Sequence, residues 1–408
     1  MASAPTDVAA DVPTGPIAVV PDEQPTATPT ARPSRVRRVL AALAPAAVYV
    51  AVRLVGVVVL GLMTGSGEKL ATALNAWDGT WMVAIARFGY AGIPDDMLDA
   101  FGNHTPDTAR AFFPGYPAMI AAVGKATGGH LVLAGLIVSL VAGIVAAYGL
   151  TRLGELVPGG SRRAGLLLVA LFAAAPMGVV LSMTYTEALF CALTAWSLVG
   201  VLQRQWILAG LCALAAGLVR PTATALIAAV GLAALLAVIQ RRDSWRPWVG
   251  LVLAPCGVLG YLGYVALVTG QLDGWNQIQR AGWASYLDGG RSTAEFTRDA
   301  LAGGSEVYDL AIVLALAASV VLVVAAIRTR LPWPLIVYGV LALVLVWCSN
   351  GPAHSKLRLV VPAFTLLVPV AIGLARRRTG TAVAVVVAAA LASAWFGGYA
   401  LTIWHYGI

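Results

Sequence analysis

Residues 40–63 read LAALAPAAVYVAVRLVGVVVLGLM, a run of apolar residues that carries one charged side chain, Arg53. As a helix this run extends about 36 Å, which is enough to cross the roughly 30 Å of hydrocarbon in a bilayer. Similar apolar blocks recur from here to the end of the chain. Blocks of this length are typical of membrane helices. The sequence therefore predicts an all-α polytopic membrane protein.

The overall composition excludes two other classes of protein. Of 408 residues, 59% are hydrophobic and 11% are charged, with a mean hydropathy of +0.83. This is too apolar for a soluble domain and for a disordered chain. The formal net charge of +8 comes largely from arginines in short connections between apolar blocks, where they orient helices. We therefore expect no nucleic-acid partner.

Eleven segments are expected to form membrane helices: residues 40–63, 131–150, 164–182, 186–202, 206–219, 222–239, 248–269, 308–327, 333–349, 357–374 and 380–401. The positive-inside rule holds the N-terminal end in the cytoplasm because of Arg32, Arg35, Arg37 and Arg38. The C-terminus then falls outside. Pro221 predicts a turn between the fifth and sixth helices, since an unbroken helix would exceed the membrane thickness. The Ala-, Val-, Leu- and Gly-rich usage favours a bacterial plasma membrane.

The chain divides into three parts by composition. Residues 1–39 are predicted to be a disordered cytoplasmic tail, residues 40–401 the transmembrane domain, and residues 402–408 a short external tail. Within the domain, residues 64–130 and 270–307 are too long and too polar for simple connections. Long loops are commonly functional, and both fall on the external side. We expect the functional site there, with a large helical first loop.

Residues 70–88 show an apolar helical face with a carboxylate at its edge. Apolar side chains recur every three or four residues, at Leu70, Leu74, Trp77, Trp81, Ile85 and Phe88. This pattern predicts a helix along the membrane interface, with its tryptophans as aromatic-belt anchors. Asp78 has two interpretations, a functional carboxylate or a solvated interfacial one. Gly79 permits another chain or a ligand to approach the backbone closely.

Residues 111–117, AFFPGYP, combine three aromatic rings and two prolines in seven positions. Proline fixes the backbone and removes an N–H donor, so the segment is either a rigid aromatic wall or the start of a re-entrant helix. A proline-broken start to an ordinary apolar segment explains the same composition.

These first-loop residues resemble a known enzyme family. The similarity to the first-loop signature of the PIG-V-type mannosyltransferases, which add the second mannose in GPI-anchor assembly and have bacterial relatives, is carried by residues 77–79, 85–86, 89–90 and 111–117. Residues 185–190, YTEALF, are similar to a second element of that family, and Arg220 matches an arginine after an Ala- and Gly-rich helix. The resemblance spans most of residues 70–370.

The resemblance implies a GT-C-like helical bundle and a sugar donor linked to polyprenyl phosphate. Asp78 matches the family's first-loop aspartate, and a carboxylate there can take the proton of an acceptor hydroxyl. Attack opposite the leaving lipid phosphate inverts the anomeric centre. The implied activity is mannosyl transfer from polyprenyl-phosphate mannose to a lipid, glycan or protein acceptor on the external face. We expect it to be independent of metals and other cofactors.

The donor phosphate then requires cations, and the candidates are Arg220, His354, Lys356, Arg358 and Arg53. Arg53 is alternatively a side chain that snorkels to the outer surface. Contacts to sugar and acceptor are expected from Trp77, Trp81, Tyr90, Phe112, Phe113, Tyr116, Tyr185 and Glu187. Glu187 has three interpretations: it orients an acceptor hydroxyl, pairs with Arg220, or stabilises a helix start.

The remaining clusters have plainer interpretations. In the second loop, aromatic side chains either stack on sugar rings or rest on the bilayer: Trp275, Trp283 and Tyr286. A set of four aspartates and one histidine in the first loop matches no metal-ligand spacing and is expected to lie in a solvated loop: Asp95, Asp96, Asp99, His104 and Asp107. The cysteines lie inside apolar blocks and are expected to pack there: Cys191, Cys212, Cys256 and Cys348.

Two alternatives to mannosyl transfer stay open. Another lipid-linked sugar, such as arabinofuranose, or protein Ser/Thr as acceptor fits the same residues. A transporter or lipid flippase would also suit eleven helices, although the chain shows no convincing internal repeat and its ionisable residues gather beside the two long loops. Membrane lipids are expected partners in either case.

Overall fold

The protein is built from α-helices in the part that the computed structural model describes, which is Met1, residues 35–303 and residues 305–408, without the side chain of Arg37. In these residues the only β-type pairing is an isolated antiparallel bridge between Leu287 and Ser349. The all-α fold class is confirmed. The predicted disordered tail falls mainly on residues 2–34, which lie outside the described residues.

Seventeen α-helices occur in the described ranges. The first nine are α1 (Arg35–Thr64), α2 (Gly67–Leu74), α3 (Asp78–Phe88), α4 (Gly115–Gly124), α5 (Leu131–Leu156), α6 (Arg162–Ala173), α7 (Glu187–Leu202), α8 (Trp206–Gly217) and α9 (Ala223–Ile239). The others are α10 (Arg246–Thr269), α11 (Gly274–Trp283), α12 (Arg291–Ala302), α13 (Val307–Arg328), α14 (Trp333–Trp347), α15 (Lys356–Leu359), α16 (Val368–Ala375) and α17 (Thr379–Thr402). Short 3-10 helices lie at Thr108–Ala111, Gly178–Ser182, Ala353–Ser355 and Val361–Leu367.

Five helices in the described ranges are long and apolar enough to cross a membrane alone: Arg38–Thr64 of α1, α5, α10, α13 and α17. A sixth crossing results if Ala353–Leu359 and Val361–Ala375, which meet at a bend of 51°, form one span. These helices are compatible with a multi-pass membrane protein. The expected count of about eleven is not confirmed, because α7, α8, α9 and α14 are apolar but have only 10 to 17 residues.

The outward faces of the long helices are apolar. Helix α13 is strongly apolar, with a mean hydropathy of 3.1 over its most apolar window. Its side chains are nevertheless widely exposed on the surface of the protein, with Leu314 at 69% and Val321 at 66%. Exposed apolar surface of this extent requires a partner other than water. The length of this helix, 22 residues, is compatible with a membrane crossing.

Small residues allow the central helices to pack closely. A Cβ added at Gly210 of α8 would lie 2.9 Å from the Cα of Gly250 in α10. About two helical turns further on, a Cβ at Gly217 would lie 3.2 Å from the carbonyl carbon of Gly257. Backbones in such close contact gain van der Waals energy, which drives helix association where burial from water contributes nothing. The α8–α10 pair thus forms a rigid support behind the loops.

Several expected helices are interrupted at positions that the apolar pattern does not reveal. The segment 70–88 is divided into α2 and α3, because Trp77 adopts a left-handed φ of 57°. The segment 164–182 ends as α-helix at Ala173 and resumes as a 3-10 helix. The expected turn at Pro221 is confirmed, since α8 ends at Gly217 and α9 begins at Ala223.

The two long loops are themselves helical and contact each other. Residues 64–130 contain α2, α3 and α4, and residues 270–307 contain α11 and α12. The backbone N–H of Ala100 donates to the carbonyl of Gly282 at 3.0 Å, and the Gln279 amide donates to the carbonyl of Ala111 at 2.9 Å. The loops therefore form one surface over the helices.

Candidate functional site

A cavity of about 820 Å³ lies where the two long loops meet the loops before α9 and α15. Its lining includes the first residues of α3, the aromatic residues of segment 111–117, and Arg220. Residues 349–359 and the last residues of the chain complete the wall. Most of the predicted site residues therefore line the same cavity.

Asp78 is the first residue of α3, where the helix dipole favours a negative charge. Its Oδ2 accepts a hydrogen bond from the Arg358 guanidinium at 2.6 Å. The Asp78 side chain is 28% exposed and that of Arg358 is 11% exposed. The carboxylate thus borders the cavity while its cationic partner lies deeper. This geometry contradicts the solvated interpretation of Asp78.

A second carboxylate lies beneath the cavity and joins two arginines. The Glu187 side chain is fully buried, with Oε1 2.5 Å from the Arg220 guanidinium and 3.9 Å from that of Arg358. Arg220 also donates to the Thr186 hydroxyl at 3.2 Å. Glu187 does not line the cavity, so the predicted sugar or acceptor contact is replaced by ion pairing. Among the alternatives for Glu187, pairing with Arg220 is confirmed.

The segment 185–190 supports both guanidinium groups with aromatic rings. The Arg358 guanidinium lies 5.1 Å from the ring centre of Tyr185, and that of Arg220 lies 5.9 Å from the ring centre of Phe190. Cation–π contacts stabilise arginine in places with little water. Tyr185 is buried and outside the cavity lining, so it supports a cation and does not face a sugar.

Gly79 is required for the approach of α3 to this segment. A Cβ at Gly79 would overlap the hydroxyl of Thr184 and lie 3.5 Å from its carbonyl oxygen. The Thr184 N–H donates to the carbonyl of Leu74 at 3.0 Å, which fixes the two chains together. The close approach expected at Gly79 is therefore made by another part of the chain, and it brings Asp78 toward Arg358.

One side of the cavity is an aromatic wall formed by Trp81, Phe112 and Trp283. The rings of Trp81 and Phe112 stack with centres 5.4 Å apart, and Trp283 contacts Phe112 edge-on at 5.4 Å. Trp81 is 8% exposed and lines the cavity, so its ring packs inside the protein. Within segment 111–117, Phe112 and Phe113 line the cavity and Gly115 begins α4.

His354 and Lys356 also line the cavity. The Lys356 ammonium donates to the Thr293 hydroxyl and to the Ser349 carbonyl, each at 2.6 Å. These bonds tie the second long loop to the strand-like segment before α15. The His354 ring stacks on Tyr406 with centres 5.3 Å apart. Tyr406, Gly407 and Ile408 therefore contribute to the cavity wall.

Asp288 stabilises the same connection from the loop side. Bonds from the Ser292 side chain, from the backbone N–H groups of Ser292 and Gly290, and attraction by Lys356 lower the pKa of Asp288 to about 2. The N–H donors lie 2.8 and 2.9 Å from its carboxylate oxygens. Asp288 thereby holds the start of α12, whose Thr293 contacts Lys356.

In addition to Tyr185 and Glu187, three predicted site residues lie outside the cavity lining. Arg53 is 5% exposed, and its guanidinium donates to the Ala173 carbonyl at 2.7 Å and to the Ser182 hydroxyl at 2.9 Å. Both predicted roles of Arg53, phosphate contact and snorkelling, are replaced by bonds to the break between α6 and the following 3-10 helix. The hydroxyls of Tyr90 and Tyr116 donate to backbone carbonyls at 2.8 and 2.9 Å. These tyrosines fix the loop and do not face a ligand.

The acidic residues of the first loop bind their own loop. Asp99 accepts bonds from the N–H groups of Phe101 and Asn103 at 2.8 and 2.9 Å. Asp107 pairs with Arg110 at 2.5 Å. Asp99 also lines the cavity but makes no ion pair among the described residues. Asp99 is therefore a suitable control for Asp78, because both carboxylates border the cavity but, within the residues that the structure describes, only Asp78 is in an ion pair.

Sequence reasoning did not find several cavity residues. Gln279, Asn350 and Tyr406 line the cavity, but nothing in their local sequence distinguishes them from ordinary loop residues. Of the three aromatic residues singled out in the second loop, Trp283 lines the cavity. Trp275 and Tyr286 lie outside its lining.

The arrangement places a carboxylate, two arginines and an aromatic wall around one space. A carboxylate can accept a proton, guanidinium groups can bind phosphate oxygens, and flat rings can pack against a sugar. No protein-family model matches this chain, and no curated protein sequence is significantly similar to it.

Proposed function

We propose that this protein is a membrane-embedded inverting glycosyltransferase that transfers mannose from polyprenyl-phosphate mannose to a lipid, glycan or protein acceptor. The observation that carries the proposal is the meeting of Asp78, Arg220 and Arg358 at one cavity beside an aromatic wall. The resemblance of residues 77–79 and 111–117 to the PIG-V-type family supports the choice of sugar.

In the proposed step, Asp78 takes the proton of the acceptor hydroxyl as its oxygen attacks the anomeric carbon. A bond forms between that oxygen and the anomeric carbon, and the bond from this carbon to the phosphate oxygen breaks. The electron pair leaves on polyprenyl phosphate. General-base catalysis of this kind contributes roughly 10²- to 10⁴-fold to a rate.

The cations and rings have separate tasks. Arg220 and Arg358 bind the donor phosphate, whose charge increases as the lipid phosphate leaves. Trp81, Phe112 and Trp283 hold the sugar against the wall, where their contacts exclude water. Lys356 adds a positive charge beside the same space, and the His354 ring borders it.

The proposal includes a GT-C-like arrangement with about eleven crossings, in which the shorter apolar helices also enter the membrane. The N-terminus then lies in the cytoplasm, the two long loops and the C-terminus lie outside, and the membrane is the bacterial plasma membrane. The basic connections between helices support this orientation, because arginines accumulate on the cytoplasmic side.

The test uses purified protein in nanodiscs with radiolabelled polyprenyl-phosphate mannose and a bacterial membrane lipid extract. We expect label transfer by the wild type and a loss of about 10²-fold or more in Asp78→Asn. Asp99→Asn is the matched control. It removes a carboxylate that lines the same cavity but, unlike Asp78, makes no ion pair in the described part of the chain. Transfer should persist in EDTA.

Three results would change the proposal. Full activity of Asp78→Asn removes Asp78 as the base. Transfer from polyprenyl-phosphate arabinofuranose alone keeps the reaction class and changes the sugar. If the wild type transfers no lipid-linked sugar from a panel of such donors, the transport hypothesis takes its place.

A further inference from the structure

We propose that the ion pair between Asp78 and Arg358 is an exchangeable contact: the donor phosphate replaces Asp78 on Arg358, and this replacement frees Asp78 to act as the base. The inference rests on the proposed function. It assigns Arg358 a second task, that of withholding the base until the donor is bound.

The geometry shows which partner can leave. Arg358 is 11% exposed and is held from below by Glu187 at 3.9 Å and by the Tyr185 ring at 5.1 Å. Asp78 is the more exposed partner, at 28%, and borders the open cavity. A rotation of the Asp78 side chain is therefore sufficient to open the pair, while Arg358 keeps its other supports.

The charges show why an exchange is needed. Asp78 and Glu187 carry two negative charges, and Arg220 and Arg358 carry two positive charges. A phosphate that enters while all four are paired meets a group without net charge, so it gains little attraction. Once Asp78 leaves, Arg358 keeps only its longer contact with Glu187 at 3.9 Å, and charge-assisted bonds to the phosphate can form in place of the bond to Asp78.

The hydrogen bonds of Arg358 point the same way. Within the described residues, its buried Nε has no hydrogen-bond partner while Asp78 occupies the guanidinium. A guanidinium has five N–H donors in a planar fork that matches two oxygens of one phosphate. A phosphate can therefore satisfy donors that Asp78 leaves unused.

The exchange also orders the reaction. While Asp78 is paired with Arg358, its carboxylate is a poor acceptor for a hydroxyl proton. Protonation would neutralise the carboxylate and so give up its attraction to the guanidinium. After the transfer, Asp78 carries the acceptor's proton and is neutral, so it does not compete for Arg358. Loss of this proton to water restores the carboxylate, which then displaces the product polyprenyl phosphate.

The experiment measures binding without turnover. Purified protein in nanodiscs is titrated with farnesyl phosphate by isothermal calorimetry, and with farnesol as the uncharged comparison. Asp78→Asn keeps the shape of the side chain and removes the competing charge, so we expect it to bind farnesyl phosphate about tenfold more tightly than the wild type. Farnesol affinity should be equal in both.

Two further variants separate local exchange from general charge effects. Asp99→Asn removes a carboxylate from the same cavity without touching Arg358, and should change farnesyl phosphate affinity less than about twofold. Arg358→Gln should bind farnesyl phosphate at least about tenfold more weakly than the wild type, because the cation that binds the phosphate is removed.

The outcomes distinguish the two proposals. If the wild type and Asp78→Asn bind farnesyl phosphate equally, or the variant binds it more weakly, the exchange is refuted and the proposed transferase stands. Equal tightening in Asp99→Asn also refutes the exchange. If neither the wild type nor Asp78→Asn prefers farnesyl phosphate over farnesol, the phosphate-linked donor itself is refuted.

Discussion

Replacing Glu187 with Gln tests the ion-pair network most directly. The substitution keeps the shape of a fully buried side chain and removes the charge that lies 2.5 Å from Arg220. Removing one partner of a buried pair typically costs about 3–5 kcal/mol, because the other charge stays buried without compensation. Arg220 is only 9% exposed, so water can replace the carboxylate only in part. We expect a loss of this size in the free energy of unfolding.

The matched control is Glu295→Gln, the same chemical change in an exposed pair. Arg291 and Glu295 lie 2.9 Å apart, but their side chains are 81% and 51% exposed. Exposed helical pairs contribute roughly 0.3–0.5 kcal/mol, so this variant should be nearly as stable as the wild type.

Both variants can be compared by reversible SDS-titration unfolding in mixed micelles, followed by circular dichroism at 222 nm. The expected difference between Glu187→Gln and Glu295→Gln is about 3 kcal/mol or more. If the two variants lose the same stability to within about 0.5 kcal/mol, the network is not a buried ion pair in the folded protein and the account of the site fails.

Three other predictions concern the loop, the wall and the helix contact. Because the folded pKa of Asp288 is about 2, below its ordinary value of 3.8, the stability that its ionised form provides should be complete above about pH 5 and lost as the pH falls toward 2. Thermal unfolding of the wild type and Asp288→Asn across this range should therefore converge at low pH, and a constant difference contradicts the assignment. Trp283→Ala should lower kcat/KM for sugar transfer about tenfold, whereas Trp245→Ala, at a side chain that is 59% exposed, should not; equal effects exclude the aromatic wall. Gly79→Ala should reduce transfer by displacing α3 from its neighbouring hydroxyl, while Gly67→Ala, which meets no atom within 4 Å, should be active, and normal transfer by both would show that the contact does not position the base.

The sequence predicts most helix positions but not which helices cross the membrane. Apolar blocks mark α5, α10, α13 and α17 to within a few residues, because a lipid-facing helix must be apolar along its whole length. The break at Trp77, where φ is 57°, is not visible in the apolar pattern, because the apolar repeat continues through it. Helix α8 is apolar in part because it packs closely against α10.

The site follows a similar division. Asp78, Arg220 and Arg358 stand out in sequence because charge is costly beside apolar helices, and the structure brings all three to the cavity. The same reasoning failed for Arg53, whose cost is offset by carbonyl and hydroxyl oxygens from a distant helix break. Such partners are separated by 120 residues or more, so local sequence contains no sign of them.

The contribution of Tyr406, Gly407 and Ile408 to the cavity wall has a practical consequence for expression of this protein. Any segment that continues the chain from Ile408, which is 2% exposed, would start at the wall of the proposed substrate chamber and compete for its volume. Purification handles and fluorescent fusions are better attached ahead of residue 35, and a preparation that carries a C-terminal handle should recover ligand binding once a protease removes it.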